Sequence, residues 1–175
     1  ENEELKAIAV ESARKYGPGA PMGARMMTGN TQQHLDLEAK FAKFMGKEDA
    51  ILFNYGYLGV LGTIQALCEK NDTILIDKLA HASMIDAMFM SQAQFRVWKH
   101  SDLDSLELHL KRVNRDRKGG ILVVTEGVFG MTGDIAPLSD ICYLKDKYDA
   151  RLFVDDAHGF GVMGPGGRGT GELQK

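Results

Sequence analysis

The chain has 175 residues, of which 44% are hydrophobic and 26% charged, and its net charge is −3. That is enough length and apolar content for one domain with a substantial core, and so small a charge gives no electrostatic reason to expect a nucleic-acid partner. No apolar run approaches the roughly 20 residues a membrane span needs. The two cysteines, Cys68 and Cys142, fall inside apolar helical patterns without metal-like spacing, so buried thiols in a reducing, cytoplasmic setting and no bound metal are expected.

The first element is amphipathic, with Leu5, Ile8, Ala13 and Tyr16 along one helical face and Gly17-Pro18 as its stop. A glycine-punctuated loop, GPGAPMGARMMTGN, runs from Gly17 to Asn30. Thr31 can then cap a helix whose inner face carries His34, Leu37, Phe41 and Met45. From there strands and helices alternate. Strands are predicted at 50–54, 73–77, 95–99, 120–127 and 150–156, and helices at 57–69, 82–91, 103–117 and 138–148. Such alternation predicts a three-layer α/β fold, a mostly parallel sheet with helices on both faces. Runs that are apolar on consecutive residues, such as Ile121 to Val124, are what burial on both faces requires. No repeat or low-complexity linker divides the chain, so one unit is expected.

In a parallel sheet a ligand sits beyond the carboxyl ends of the strands. The residues just after the predicted strands are Asn54 to Tyr57, Asp77 to His81, Glu126-Gly127 and Asp155 to His158. Four polar clusters on one edge form a site-like pattern. Gly56, between a strand and a helix, lets backbone N–H groups approach an anion. That turn is read as fitting neither the G-x-x-x-x-G-K-[ST] nor the G-x-G-x-x-G pattern, and a Rossmann-type dinucleotide module is set aside because the glycine fingerprint is taken to be missing from the chain. His81 stands between Ala80 and Ala82, small neighbours that leave a flat ring free to stack. Asp155 follows Leu152-Phe153-Val154, and a carboxylate leaving so dry an environment needs a cation or several donors. Asp156 points to the opposite face and is expected to be structural, whereas His158 can turn back toward the ligand of Asp155.

Four segments, GARMMTGNTQQHLDLE, DKLAHASMIDA, VVTEGVFGMTGDIAPL and VDDAHGFGVMGPGGRGTGE, closely resemble motifs of the α-oxoamine synthases in order and spacing. The resemblance covers about Gly17 to Glu172 and implies the large domain of a fold type I, aspartate-aminotransferase-like enzyme that uses pyridoxal 5'-phosphate (PLP). It implies that Asp155 pairs with the pyridinium nitrogen, His158 bonds the phenolic oxygen and His81 stacks on the ring. Gly56 and Tyr57 match the turn that meets the phosphate, and Glu126 stands at the family's acidic position near the cofactor. The implied reaction joins a small amino acid to an acyl-CoA thioester, releasing coenzyme A and usually carbon dioxide. Within the family the wording leans toward 8-amino-7-oxononanoate synthase, with serine palmitoyltransferase and glycine C-acetyltransferase as alternatives. A homodimer with a shared active site is also implied, the loop 17–30 with Arg25 reaching a neighbour's site.

Two departures stand out. Gly130 occupies a position that is commonly serine in the family, so one cofactor hydrogen bond is missing. The Schiff-base lysine, expected in a later T-F-[SGA]-K-like segment, is absent, and Lys175 lies too close to His158 to serve. Residues 1–175 are therefore expected to be part of a PLP-binding large domain, without its N-terminal segment, lysine segment or C-terminal domain, and inactive alone. The alternative of another class is a non-catalytic partner subunit that lacks the lysine.

Overall fold

A computed structural model describes residues 2–17 and 22–174. The chain forms two compact units, residues 1–52 and 53–175, rather than the single unit expected.

In the first unit, α1 (Glu3–Tyr16) starts at Asn2, whose side chain accepts the N–H groups of Glu4 and Leu5. It ends at Gly17, whose positive φ of 76° suits glycine; Pro18, the other half of the predicted stop, lies outside the described residues. A short π-helical turn, Arg25–Gly29, leads to α2 (Gln32–Met45). The N–H of Thr31 donates to His34 Nδ1 at 3.2 Å, so this histidine serves the helix start. Ala42 is the buried residue of α2, while Leu37 and Phe41 are each 38% exposed, less buried than the sequence predicts.

Arg25 braces this unit. Nη1 donates to Glu38 Oε1 at 2.6 Å and to the Leu52 carbonyl at 2.7 Å; Nη2 donates to Glu38 Oε2, and both Nε and Nη2 reach Asn30 Oδ1. The Arg25 hydrogen bond and the Leu52 N–H hold the Glu38 carboxyl at about 2. The five guanidinium N–H donors are thus all engaged inside this unit. Residues 18–21 of the loop 17–30 lie outside the described residues.

These contacts also explain a correction. The run 50–54 is not a strand: the Leu52 N–H donates to Glu38 Oε1 at 2.6 Å and its carbonyl accepts from Arg25. Apolar, β-prone residues become a strand only where a neighbour supplies a ladder, and here side chains satisfy the backbone instead.

The second unit opens with α3 (Gly56–Leu67) and continues through β1 (Thr73–Asp77), α4 (Ala82–Met90), β2 (Gln94–Trp98), α5 (Leu103–Arg115), β3 (Ile121–Glu126), α6 (Leu138–Lys147), β4 (Arg151–Asp155) and α7 (Thr170–Leu173). Apart from the extra short helix α7, each matches a predicted element to within two residues at either end. The strands lie in the order β2-β1-β3-β4, all parallel. All residues of β1 and β3 are buried. Their alternate side chains feed two cores. Ile74, Ile76, Leu122 and Val124 pack with Ile64 of α3 and Met84 and Met88 of α4. Leu75, Ile121 and Val123 pack with Leu106 and Leu110 of α5 and Ile141 and Leu144 of α6. Among the described residues no helix is long and apolar enough to cross a membrane.

Ile76 lies at 0% exposure in the central strand β1. Ile76→Ala is expected to cost the full-length protein about 2–5 kcal/mol, read from its urea midpoint. Phe95→Ala on the edge strand β2, at 37% exposure, should cost clearly less.

Candidate active site

The carboxyl ends of β1, β3 and β4 and the starts of α3 and α4 enclose a cavity of about 710 Å³. Gly56, Tyr57, His81, Glu126, Asp155 and His158 all line it, so the six residues singled out from the sequence meet in one place. Alternation along the strands explains how. Glu126 and Asp155 are register partners across the β3–β4 ladder, and partners in a parallel ladder project from the same face. That face is the one covered by α3 and α4.

Glu126 is buried. Burial raises its carboxyl above the usual range; the N–H groups of Gly130, at 3.3 Å, and of His81 oppose the rise, and the neighbouring Asp155 adds to it. Asp155 Oδ1 accepts the Ala157 N–H at 3.1 Å. Its second oxygen takes no hydrogen bond among the described residues and is open to a cationic N–H. His81 caps α4, its Nδ1 accepting the Ser83 N–H at 3.2 Å. This fixes the ring at the cavity wall, with Ala80 and Ala82 beside it.

The start of α3, which also lines the cavity, has no side-chain cap. Its first intrahelical bond runs from the Gly59 N–H to the Tyr55 carbonyl, which leaves the N–H groups of Gly56, Tyr57 and Leu58 without a partner among the described residues. Unpaired N–H groups at a helix start favour an anion. The Tyr57 hydroxyl is engaged elsewhere, donating to Asp86 Oδ2 at 2.7 Å.

Gly130 has a geometric reason to be glycine. A Cβ there would stand 2.5 Å from His158 Nε2, so the imidazole takes the space a side chain would need. Asp156 turns away, as expected. Its Oδ2 accepts the Thr170 N–H at 2.8 Å and its Oδ1 the Thr170 hydroxyl at 2.6 Å. Gly127 and Gly159 make room for that carboxylate, since a Cβ on either would stand 2.1 Å from Asp156 Oδ1.

Two points correct the sequence reading. The spacing G-x-G-x-x-G does occur, at Gly159–Gly164 and again at Gly164–Gly169. These glycines form successive turns after β4, and the next helix starts only at Thr170; the fingerprint requires a helix opening on the motif itself. The sequence reading also passed over His100, although it directly follows the predicted strand 95–99. It stands beyond β2, bonded to Asp77 and Asp134, and its ring packs edge-on against Phe129 of the cavity wall.

A parallel sheet with polar groups gathered around a cavity at its carboxyl edge, beside a helix start with unpaired N–H groups, is the architecture of an α/β domain that binds its ligand beyond the strand ends. The chain belongs to the aminotransferase class I and II family, whose model matches residues 2–170. It is 47% identical over 174 residues to a cysteate-C-fatty acyltransferase from Capnocytophaga ochracea, covering 98% of this chain and 41% of that protein. It is also 47% identical over 167 residues to an 8-amino-7-oxononanoate synthase from Alkaliphilus metalliredigens, covering 95% of this chain and 42% of the relative. A serine palmitoyltransferase from S. paucimobilis, solved with a PLP–myriocin aldimine bound, superposes with a TM-score of 0.93 at 35% identity, covering 98% of this chain and 42% of its own. The chain thus spans about two fifths of the length of the curated relatives it matches.

The two adjacent aspartates should separate experimentally. Asp156→Ala strands the buried Thr170 hydroxyl and N–H and should destabilise the full-length protein by about 2–4 kcal/mol in urea denaturation. Asp155→Asn keeps shape and should move stability by less than about 1 kcal/mol.

Proposed function

We propose that the parent protein is a PLP-dependent acyltransferase of the α-oxoamine synthase type, joining a small amino acid to an acyl-CoA thioester with loss of coenzyme A and carbon dioxide. The observation that carries this reading is the meeting of Asp155, His81, His158 and the uncapped start of α3 around one cavity. Their donor and acceptor chemistry fits a flat, phosphorylated, cationic ring. PLP supplies an electron sink for a carbanion beside the amino-acid nitrogen.

The chain's own residues hold and polarise that group. The open oxygen of Asp155 would accept the pyridinium N–H and hold the proton there, which is what the cofactor's electron-sink chemistry requires. The N–H groups of Gly56 and Tyr57 would hold the phosphate. His81 would lie against one face of the ring, and His158 would donate toward the phenolic oxygen from the space that Gly130 leaves. Glu126 stands beside Asp155, its carboxyl raised above the usual carboxylate range by burial.

Among the amino-acid and acyl partners, 8-amino-7-oxononanoate synthase is the favoured likeness, with serine palmitoyltransferase and glycine C-acetyltransferase as alternatives; cysteate enters the comparison through the relative named for it. Among the described residues no lysine lines the cavity. We infer that the Schiff-base lysine belongs to a segment outside these 175 residues and that this part of the large domain does not turn over alone. Met22, Met26 and Met27, each more than four-fifths exposed, support a homodimer in which this loop meets a second subunit. A cytoplasmic location fits the acyl-CoA substrate.

The full-length parent should turn yellow with PLP; a colourless protein sinks the cofactor reading and favours the lysine-lacking partner subunit. Asp155→Asn should lower kcat by about 100-fold or more while the fold persists, and near-normal turnover would remove the electron-sink role. Steady-state rates with alanine, glycine, serine and cysteate against short and long acyl-CoAs then identify the substrate pair.

A further inference from the structure

We infer that His100 is a positioning residue, an imidazolium clamp that ties the segment 127–136 to the carboxyl end of β1 and so fixes one wall of the active-site cavity. The kinetic part of this inference rests on the proposed function; the structural part does not.

Asp77 closes β1 at 0% exposure. It faces the α5–α6 side of the sheet, opposite Glu126 and Asp155. Its Oδ1 accepts the Leu79 N–H at 2.8 Å and its Oδ2 the Ser101 N–H at 3.1 Å. His100 Nδ1 lies 3.0 Å from Asp77 Oδ1, and Nε2 lies 3.2 Å from Asp134 Oδ2. An ionised carboxylate only accepts, so both ring nitrogens donate only if the ring carries both protons. The geometry therefore selects imidazolium between two carboxylates. Burial lowers the His100 pKa, but Asp77 and then Asp134 raise it by more, and the net direction is upward. Asp134 is held low by the Thr132 hydroxyl and by His100. The nearby Lys99 and Asp102 pair with each other at 4.0 Å, so Asp77 and Asp134 are the charged groups facing the ring.

What the clamp holds is the cavity wall. The Phe129 N–H donates to the Asp134 carbonyl at 2.9 Å, the Gly133 N–H to the Phe129 carbonyl at 2.7 Å, and the Ala136 N–H to the Gly127 carbonyl at 3.0 Å. His100 meets Phe129 edge-on at 4.4 Å between ring centres. Phe129, Gly130, Met131 and Thr132 line the cavity, and Gly130 abuts His158. Release of Asp134 frees this tight turn from β1 and changes the space in which His158 sits.

A raised histidine pKa gives a definite sign: the clamp is intact below the ordinary histidine range and is lost as pH rises through the raised value. Amide hydrogen exchange over residues 128–134 of the full-length holoprotein, corrected for intrinsic rates between about pH 6 and pH 9, tests it. Wild-type protection should fall about tenfold across that range, the size expected for one charged hydrogen bond. His100→Gln and Asp134→Asn should show the lower protection already at acidic pH, without the pH dependence; Asp134 is 54% exposed, so its amide leaves the fold intact. kcat/KM should fall about tenfold in both and lose the same basic limb of its pH profile. Protection in Asp134→Asn within about twofold of wild type at every pH would overturn the clamp. A protein that binds PLP yet shows an unprotected wild-type loop also overturns it. A clamped loop in a protein that binds no PLP supports the clamp and overturns the cofactor reading alone.

Discussion

A strand buried on both faces has no room for polar chemistry except at its ends, and β3 imposes that constraint on the whole domain. All six of its residues are buried, between β1 and β4 on its edges and two helical layers on its faces. Glu126, the last of the six, is the first point at which the strand can present a charge. With β1 ending at Asp77 and β4 at Asp155, the acidic groups of three parallel strands are forced onto one edge. The cavity forms there because the fold leaves these carboxylates nowhere else to go.

Strand alternation then divides the carboxylates between two tasks. Glu126 and Asp155 project to the α3–α4 face, where helix starts offer N–H groups and His81 offers a flat ring. Asp77 projects to the opposite face and Asp156 lies past the end of β4, each bound to N–H or O–H groups of the chain itself. A carboxylate whose oxygens are all engaged is a brace, whereas Asp155 keeps one oxygen without a hydrogen bond among the described residues and lines the cavity. The adjacent aspartates of VDDAHG thus differ in role because one residue of strand period separates them.

Much of this was legible in the sequence because the signals were local. Consecutive apolar residues in 73–77 and 121–124 marked doubly buried strands, and the residues just past them supplied the cavity lining. The reading failed where the deciding partner is distant. The run 50–54 has strand composition, but composition cannot say whether a ladder partner or the side chains of Arg25 and Glu38 will satisfy Leu52. His100 was passed over for the same reason. Its meaning lies in Asp77 and Asp134, 23 and 34 residues away, and nothing in WKHSD points to either.

Gly130 shows how a contact changes the interpretation of a missing group. Seen in the sequence, it is a position stripped of a hydroxyl. In the fold it is space for His158, because a Cβ would stand 2.5 Å from the imidazole. The turn that carries Gly130 is closed by Phe129, Gly133 and Asp134, and its N–H reaches the buried Glu126. The position of His158 therefore depends on the backbone of a turn anchored at two carboxylates, Glu126 within the site and Asp77 outside it. The absence of a Cβ at Gly130 lets the imidazole come close, and the anchoring of the turn decides how close.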